Sequence, residues 1–189
     1  MLDNKDHNRL FRQQLRVKPS EIAAIAPSSR VLCDKMVERL RPNFGNVIEL
    51  GAGTGKITES LLAHGFSQNQ LALFDINDDF CAHLRSLFPK SNVIAASAET
   101  LRMAPLLNVQ AVVSALPLLS FKKDLQEKIL TEAFKKLKPG GVFIQYTYGL
   151  KPPVARSIRQ NLELSTKLIA PVLNNLPPAR VYEFRKTII

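Results

Sequence analysis

The sequence predicts an α/β fold built on a mostly parallel, doubly wound sheet, and three observations carry that expectation. Five short apolar runs, at 46–50, 71–75, 92–96, 111–115 and 142–148, each have the length of a strand. Helix-like stretches lie between them at 56–64, 78–88 and 122–138, stopped by Gly65, by Pro89 and by Pro139-Gly140-Gly141. A glycine-rich turn, Gly51-Ala52-Gly53-Thr54-Gly55, closes the first strand and opens the helix that follows. Strands alternating with helices make crossover units, and these pair their strands in parallel.

The first four runs are close to uniformly apolar, as expected of strands covered on both faces. The run 180–186 follows Pro177-Pro178 and reads as a late strand, antiparallel at one edge of the sheet. Residues 19–189 are expected to form one domain. The stretch 1–18 differs: Leu10, Phe11 and Leu15 share a helical face, while Lys5, Arg9, Arg12 and Arg16 are its cations. Such a helix suits an anionic membrane interface, or it lays its apolar side on the domain.

A chain of 189 residues can bury a real core, and its net charge of +10 attracts polyanions, either nucleic acid or an anionic membrane. No apolar run reaches the length of a membrane span and no signal-peptide core is visible, so a cytoplasmic location is the expectation. Cys33 and Cys81 form no ligand pair. Reduced thiols and no metal site follow.

Gly51 and Gly53 allow a tight turn and close backbone approach to a ligand, where a Cβ would clash. The third glycine follows the second by two positions, not the three of the dinucleotide fingerprint, and Gly55-Lys56 is followed by Ile57, which is not a P-loop ending. Hydride transfer and nucleotide hydrolysis both lose ground. Asp75 closes the second strand, where a carboxylate can accept hydrogen bonds from both ribose hydroxyls of an adenosyl group.

Together these residues resemble the class I S-adenosylmethionine (SAM)-dependent methyltransferases, with their Rossmann-like fold. Glu49-Leu50-Gly51-Ala52-Gly53-Thr54-Gly55 is similar to that family's cofactor loop, and Asp75 to its ribose-binding acid, with Ile76 beside it among the cofactor contacts. Ser97-Ala98-Glu99 stands where the family contacts adenine, although many members carry Asp at the position of Ser97. Ser114-Ala115-Leu116-Pro117 stands beside the reactive methyl, and Leu137-Lys138-Pro139-Gly140-Gly141 at the turn before the fifth strand.

Five strings in order, from Ile25-Ala26-Pro27-Ser28-Ser29-Arg30 to the run 175–185 (NLPPARVYEFR), resemble the soluble, rhizobial type of bacterial phospholipid N-methyltransferase. That resemblance implies methyl transfer from SAM to the amine of phosphatidylethanolamine, towards phosphatidylcholine. Related enzymes act on ornithine lipids. It also implies peripheral docking on the inner face of the cell membrane through residues 1–18.

The residue types suit the reaction. Tyr146 and Tyr148, two apart on one strand, share a face, and aromatic faces attract ammonium groups. With Ser114 they are the candidate catalytic residues, and with Leu116 and Pro117 they would flank the lipid headgroup. Arg30, Lys151, Arg156 and Arg180 are candidates for the lipid phosphate. The competing enzyme reading is an rRNA adenine N6-methyltransferase. Such enzymes place an amide and a stacking aromatic after the fourth strand. The run here is Ala115-Leu116-Pro117-Leu118, which has neither, so nucleic acid is the less expected partner. A small-molecule amine methyltransferase, or a SAM-binding or membrane-binding protein without turnover, are the further alternatives.

Overall fold

The structure, a computed structural model, describes residues 29–175 and 177–187. The expected basic helix in 1–18 lies outside them, as does most of the string that begins at Ile25. Seven strands form one sheet: β1 (Asn46–Leu50), β2 (Leu71–Asp75), β3 (Asn92–Ala95), β4 (Val109–Ser114), β5 (Leu137–Thr147), β6 (Leu164–Val172) and β7 (Ala179–Lys186). Their order across the sheet is β3-β2-β1-β4-β5-β7-β6. β3, β2, β1, β4 and β5 run parallel, and β7 is antiparallel to both β5 and β6. This is the Rossmann-like architecture expected from the alternation of strands and helices.

Two apolar layers sandwich the sheet. On one face pack α1 (Arg30–Val37), α2 (Lys56–Ala63) and α3 (Asp78–Leu87), through Leu32, Met36, Leu61 and Leu84 against Val47, Leu73, Val113 and Ile144. On the other pack α4 (Lys123–Lys136), α5 (Arg156–Asn161) and a 3₁₀ segment (Ala98–Met103), through Leu101, Ile129, Leu130 and Ile158 against Ile48, Phe74, Val112 and Phe143. The alternation of side chains along a strand divides β5 between the layers. Val142, Ile144 and Tyr146 enter the first, and Phe143 enters the second beside Phe184.

Three expectations need correction. β7 is antiparallel but is not an edge strand, because β6 pairs with it from Leu164 opposite Lys186 to Val172 opposite Ala179. β6 escaped notice because Ser165, Thr166, Lys167 and Pro171 break its apolar pattern, as suits an exposed edge. β3, read as covered on both faces, is the opposite edge and is only partly buried. The helix 122–138 ends at Lys136, where the chain passes directly into β5. Helices α1 and α5 were not anticipated. α1 is capped by Ser29, whose hydroxyl accepts from the Leu32 N–H at 3.2 Å.

Cys33 and Cys81 are buried and form no disulfide. Burial pushes the Cys33 thiol up to about 12. No helix among the described residues is long and apolar enough to cross a membrane.

Candidate functional site

Because β1, β2, β4 and β5 are parallel, their carboxyl ends meet at one rim, and the residues that follow them are collected there. The glycine turn is built into this rim. The N–H groups of Gly51 and Ala52 donate to the Phe74 carbonyl at 2.8 and 3.0 Å, which locks the turn to β2. All three glycines have positive φ, and each meets different surroundings. A Cβ on Gly51 would lie 3.1 Å from Leu116, one on Gly55 2.7 Å from the Phe88 ring, and one on Gly53 would meet nothing within 4 Å.

Asp75 does two jobs in the backbone here. Its Oδ2 accepts the Gly53 N–H at 2.8 Å and its Oδ1 the Asn77 N–H at 2.9 Å. Each oxygen keeps a second lone pair for a ligand. Ile76, next along, is 80% exposed and offers an apolar surface beside that carboxylate.

Glu49 lies beneath the turn, fully buried. Its Oε2 accepts from the Thr58 hydroxyl at 2.6 Å. Its Oε1 has no hydrogen-bond partner among the described residues. Burial pushes the carboxyl up to about 8; the Thr58 hydrogen bond opposes this and the charge of Asp75 adds to it. The folded chain therefore holds a proton that the unfolded chain, with an ordinary value of 4.5, releases between those two pH values. The associated stability is complete at the acid end and falls as pH rises towards 8, by about 1.4 kcal/mol per pH unit. Glu49→Gln, which cannot ionise, should flatten the melting temperature against pH over this window, and an unchanged slope would rule out the buried acid.

The segment after β4 is held on both sides. Ser114 is buried, its Oγ accepting the Leu116 N–H at 3.3 Å, and the Ala115 N–H donates to the Leu50 carbonyl at 2.9 Å. Two buried amides clamp the remainder. Gln145 Nε2 donates to the Leu116 carbonyl at 2.9 Å, and Gln126 Nε2 donates to the Leu118 carbonyl at 2.6 Å. Sequence reasoning missed both. The signal available for Gln145 was a lone amide inside an apolar strand, between Ile144 and Tyr146.

Tyr146 and Tyr148 form an edge-to-face pair, ring centroids 5.5 Å apart. Tyr146 is buried among the first layer, whereas Tyr148 is half-buried at its margin. Arg180 lies across the strand boundary from Thr147, and its Nη1 donates to the Gly149 carbonyl at 3.3 Å. The structure thus brings Tyr146, Tyr148 and Arg180 to the end of β5, and Leu116 against the glycine turn. Lys151 and Arg156 are exposed on the segment that follows. Arg30 is exposed, and its ion partner is Asp34, 3.9 Å away on its own helix. Ala98 is buried, and the Glu99 carboxylate is turned to Lys128 at 2.5 Å and to the Ser97 hydroxyl at 3.3 Å.

These residues fit SAM. Open space at Gly53 lets a ligand reach bare backbone, Asp75 keeps acceptor capacity for ribose hydroxyls, and Glu49 holds an unsatisfied buried oxygen below the turn.

Residues 47–141 match the family model described as a methyltransferase domain. An ornithine lipid N-methyltransferase of Singulisphaera acidiphila is 31% identical over 169 residues, covering 85% of this chain and 86% of that protein. A TehB-like SAM-dependent methyltransferase from Corynebacterium glutamicum superposes with a TM-score of 0.66 at 15% identity, over 97% of this chain and all of the other. The glycopeptide N-methyltransferase MtfA in complex with S-adenosyl-L-homocysteine superposes with a TM-score of 0.51 at 16% identity, over 62% of this chain and 47% of that one. The seven-stranded sheet, the glycine turn at its carboxyl rim and these likenesses agree: the chain belongs to the class I SAM-dependent methyltransferases.

Proposed function

We propose that this methyltransferase acts on the primary amine of a membrane lipid headgroup. The observation that carries the reading is the tyrosine pair at the end of β5; Arg180, paired with Thr147, reaches the Gly149 carbonyl just beyond that strand end. A zwitterionic headgroup presents an amine and an anion. The tyrosine rings would take the ammonium and the guanidinium fork the anion. Phosphatidylethanolamine supplies a phosphate there, and an ornithine lipid a carboxylate. The 31% identical relative, named an ornithine lipid N-methyltransferase, favours the second, and the strings shared with phospholipid enzymes favour the first.

When bound, SAM supplies an electrophilic methyl on a sulfonium and leaves as a neutral thioether, so no acid is needed for the leaving group. What remains for the protein is to desolvate the amine, remove its proton and aim its lone pair. In this reading Tyr148, half-buried at the rim, would hold the ammonium before deprotonation and retain partly methylated products, while Ser114, bonded to the Leu116 N–H, would shape the floor. Docking of residues 1–18 on an anionic inner-leaflet surface belongs to the same proposal.

The test is methyl transfer from labelled SAM to vesicles containing phosphatidylethanolamine or ornithine lipid, with an RNA control, products read by mass spectrometry. Methylated lipid in either set is expected. Labelled RNA without labelled lipid would overturn the reading. Tyr148→Ala should lower turnover about 5- to 30-fold, with Tyr148→Phe recovering most of it, because the aromatic face supplies the attraction. Equal losses in both variants would assign the role to the hydroxyl instead.

A further inference from the structure

The rim that carries the tyrosine pair has a second property. β6 runs parallel to β5, since both are antiparallel to β7, so the segments leaving β4, β5 and β6 emerge at the same end of the sheet. Each presents one large apolar side chain to solvent: Leu119 is 60% exposed, Leu150 79% and Leu173 75%. Leu119 and the β5 segment are in contact range, because a Cβ on Gly149 would lie 3.4 Å from Leu119 Cδ1. Arg180 joins the β7 segment to the same place through the Gly149 carbonyl.

The charge on the segments that carry these leucines is of one sign. Residues 115–123, 148–156 and 171–180 contain Lys122, Lys123, Lys151, Arg156 and Arg180 and no Asp or Glu; the first acid beyond them is Asp124. Lys122, Lys123, Lys151 and Arg156 are all exposed. Apolar side chains standing out from three acid-free basic segments complement one surface in particular, a bilayer with anionic headgroups over an apolar interior. RNA offers the charge but nothing to cover three leucines.

We propose that this rim is itself a docking surface for an anionic lipid bilayer, with Leu119, Leu150 and Leu173 entering the headgroup layer and the surrounding cations pairing with lipid phosphates. The proposal rests on the lipid-amine reading above and deepens it. A headgroup amine then reaches Tyr148 from the membrane plane, without the lipid leaving the leaflet.

The chain has no tryptophan, so a single introduced one reports only on its own position. Leu150→Trp in the full chain should show blue-shifted emission and quenching by brominated lipid on phosphatidylglycerol vesicles, and neither on phosphatidylcholine vesicles. Leu107→Trp, at an 81% exposed position before β4 and so at the opposite end of the sheet, should show neither on any vesicle. Replacing Lys122, Lys123 or Lys151 with Gln should weaken vesicle binding about fivefold per charge. A chain that sediments with the vesicles while Trp at position 150 stays in water would overturn the proposal, as would no vesicle binding at all. A shift at 150 on RNA but not on vesicles would overturn it too. Lipid methylated in detergent micelles without the shift would sink the docking surface and leave the substrate reading standing; the shift without methylated lipid would do the reverse.

Discussion

Replacing Asp75 with alanine will remove SAM binding while leaving the sheet folded. The carboxylate is the only group in the turn that accepts from two backbone N–H groups while keeping capacity for a ligand, among the described residues. Its loss takes away the proposed ribose acceptor and frees Gly53, whose N–H would then have to find water. Charge-assisted hydrogen bonds contribute about 1.5–3 kcal/mol each, so the loss of two amounts to at least about 100-fold in affinity. The core has no stake in this side chain, so circular dichroism should be unchanged and stability should fall by only about 1–3 kcal/mol. Titration with S-adenosylhomocysteine, followed by calorimetry, measures both quantities. Unchanged affinity would remove Asp75 from the site.

Gly53→Ala and Gly55→Ala should separate in opposite senses. Both positions have positive φ, +52° and +82°, so each alanine costs about 1–2 kcal/mol of backbone strain. At Gly55 the new methyl would also meet the Phe88 ring at 2.7 Å and Leu84 at 3.1 Å, both buried, on α3 and at its C-terminal end. Overpacking there raises the total to about 2–4 kcal/mol, visible as a large fall in melting temperature. At Gly53 the methyl enters open space, so the fold should lose little beyond the strain. In the proposed site that space receives the ligand, and affinity for S-adenosylhomocysteine should fall at least about tenfold. A Gly53 variant that binds normally would move the ligand elsewhere on the rim. A Gly55 variant of normal stability would contradict the close approach of Gly55 to Phe88 and Leu84.

The contrast between these glycines also shows what was legible beforehand. The spacing Gly51, Gly53, Gly55 after an apolar strand is local information, and it identified the turn; Asp75 was legible from its place at the end of the second apolar run. β1, β2 and β4 were legible for the same reason, because a strand covered on both faces has to be apolar throughout. β6 was not, since an edge strand with the pattern Ser165-Thr166-Lys167 depends for its existence on pairing with β7. The interior position of β7 went unseen with it. Arg30 and Arg180 look alike in sequence. Only the fold separates them, placing one beside Asp34 on the exposed face of α1 and the other against the end of β5. Gln126 and Gln145 escaped because a buried amide is recognised by the carbonyls it reaches, which lie 8 and 29 residues away.

Those two amides have a kinetic consequence. Opening the segment after β4 would break the bonds from Gln145 to Leu116 and from Gln126 to Leu118, and would pull the Ala115 N–H from Leu50. Each break would strand a buried polar group, at a cost of about 1–3 kcal/mol. A lid needs an element that opens at little cost on the timescale of turnover. This one is a fixed wall, so admission of substrate and release of product are gated by some other part of the chain, or not gated at all.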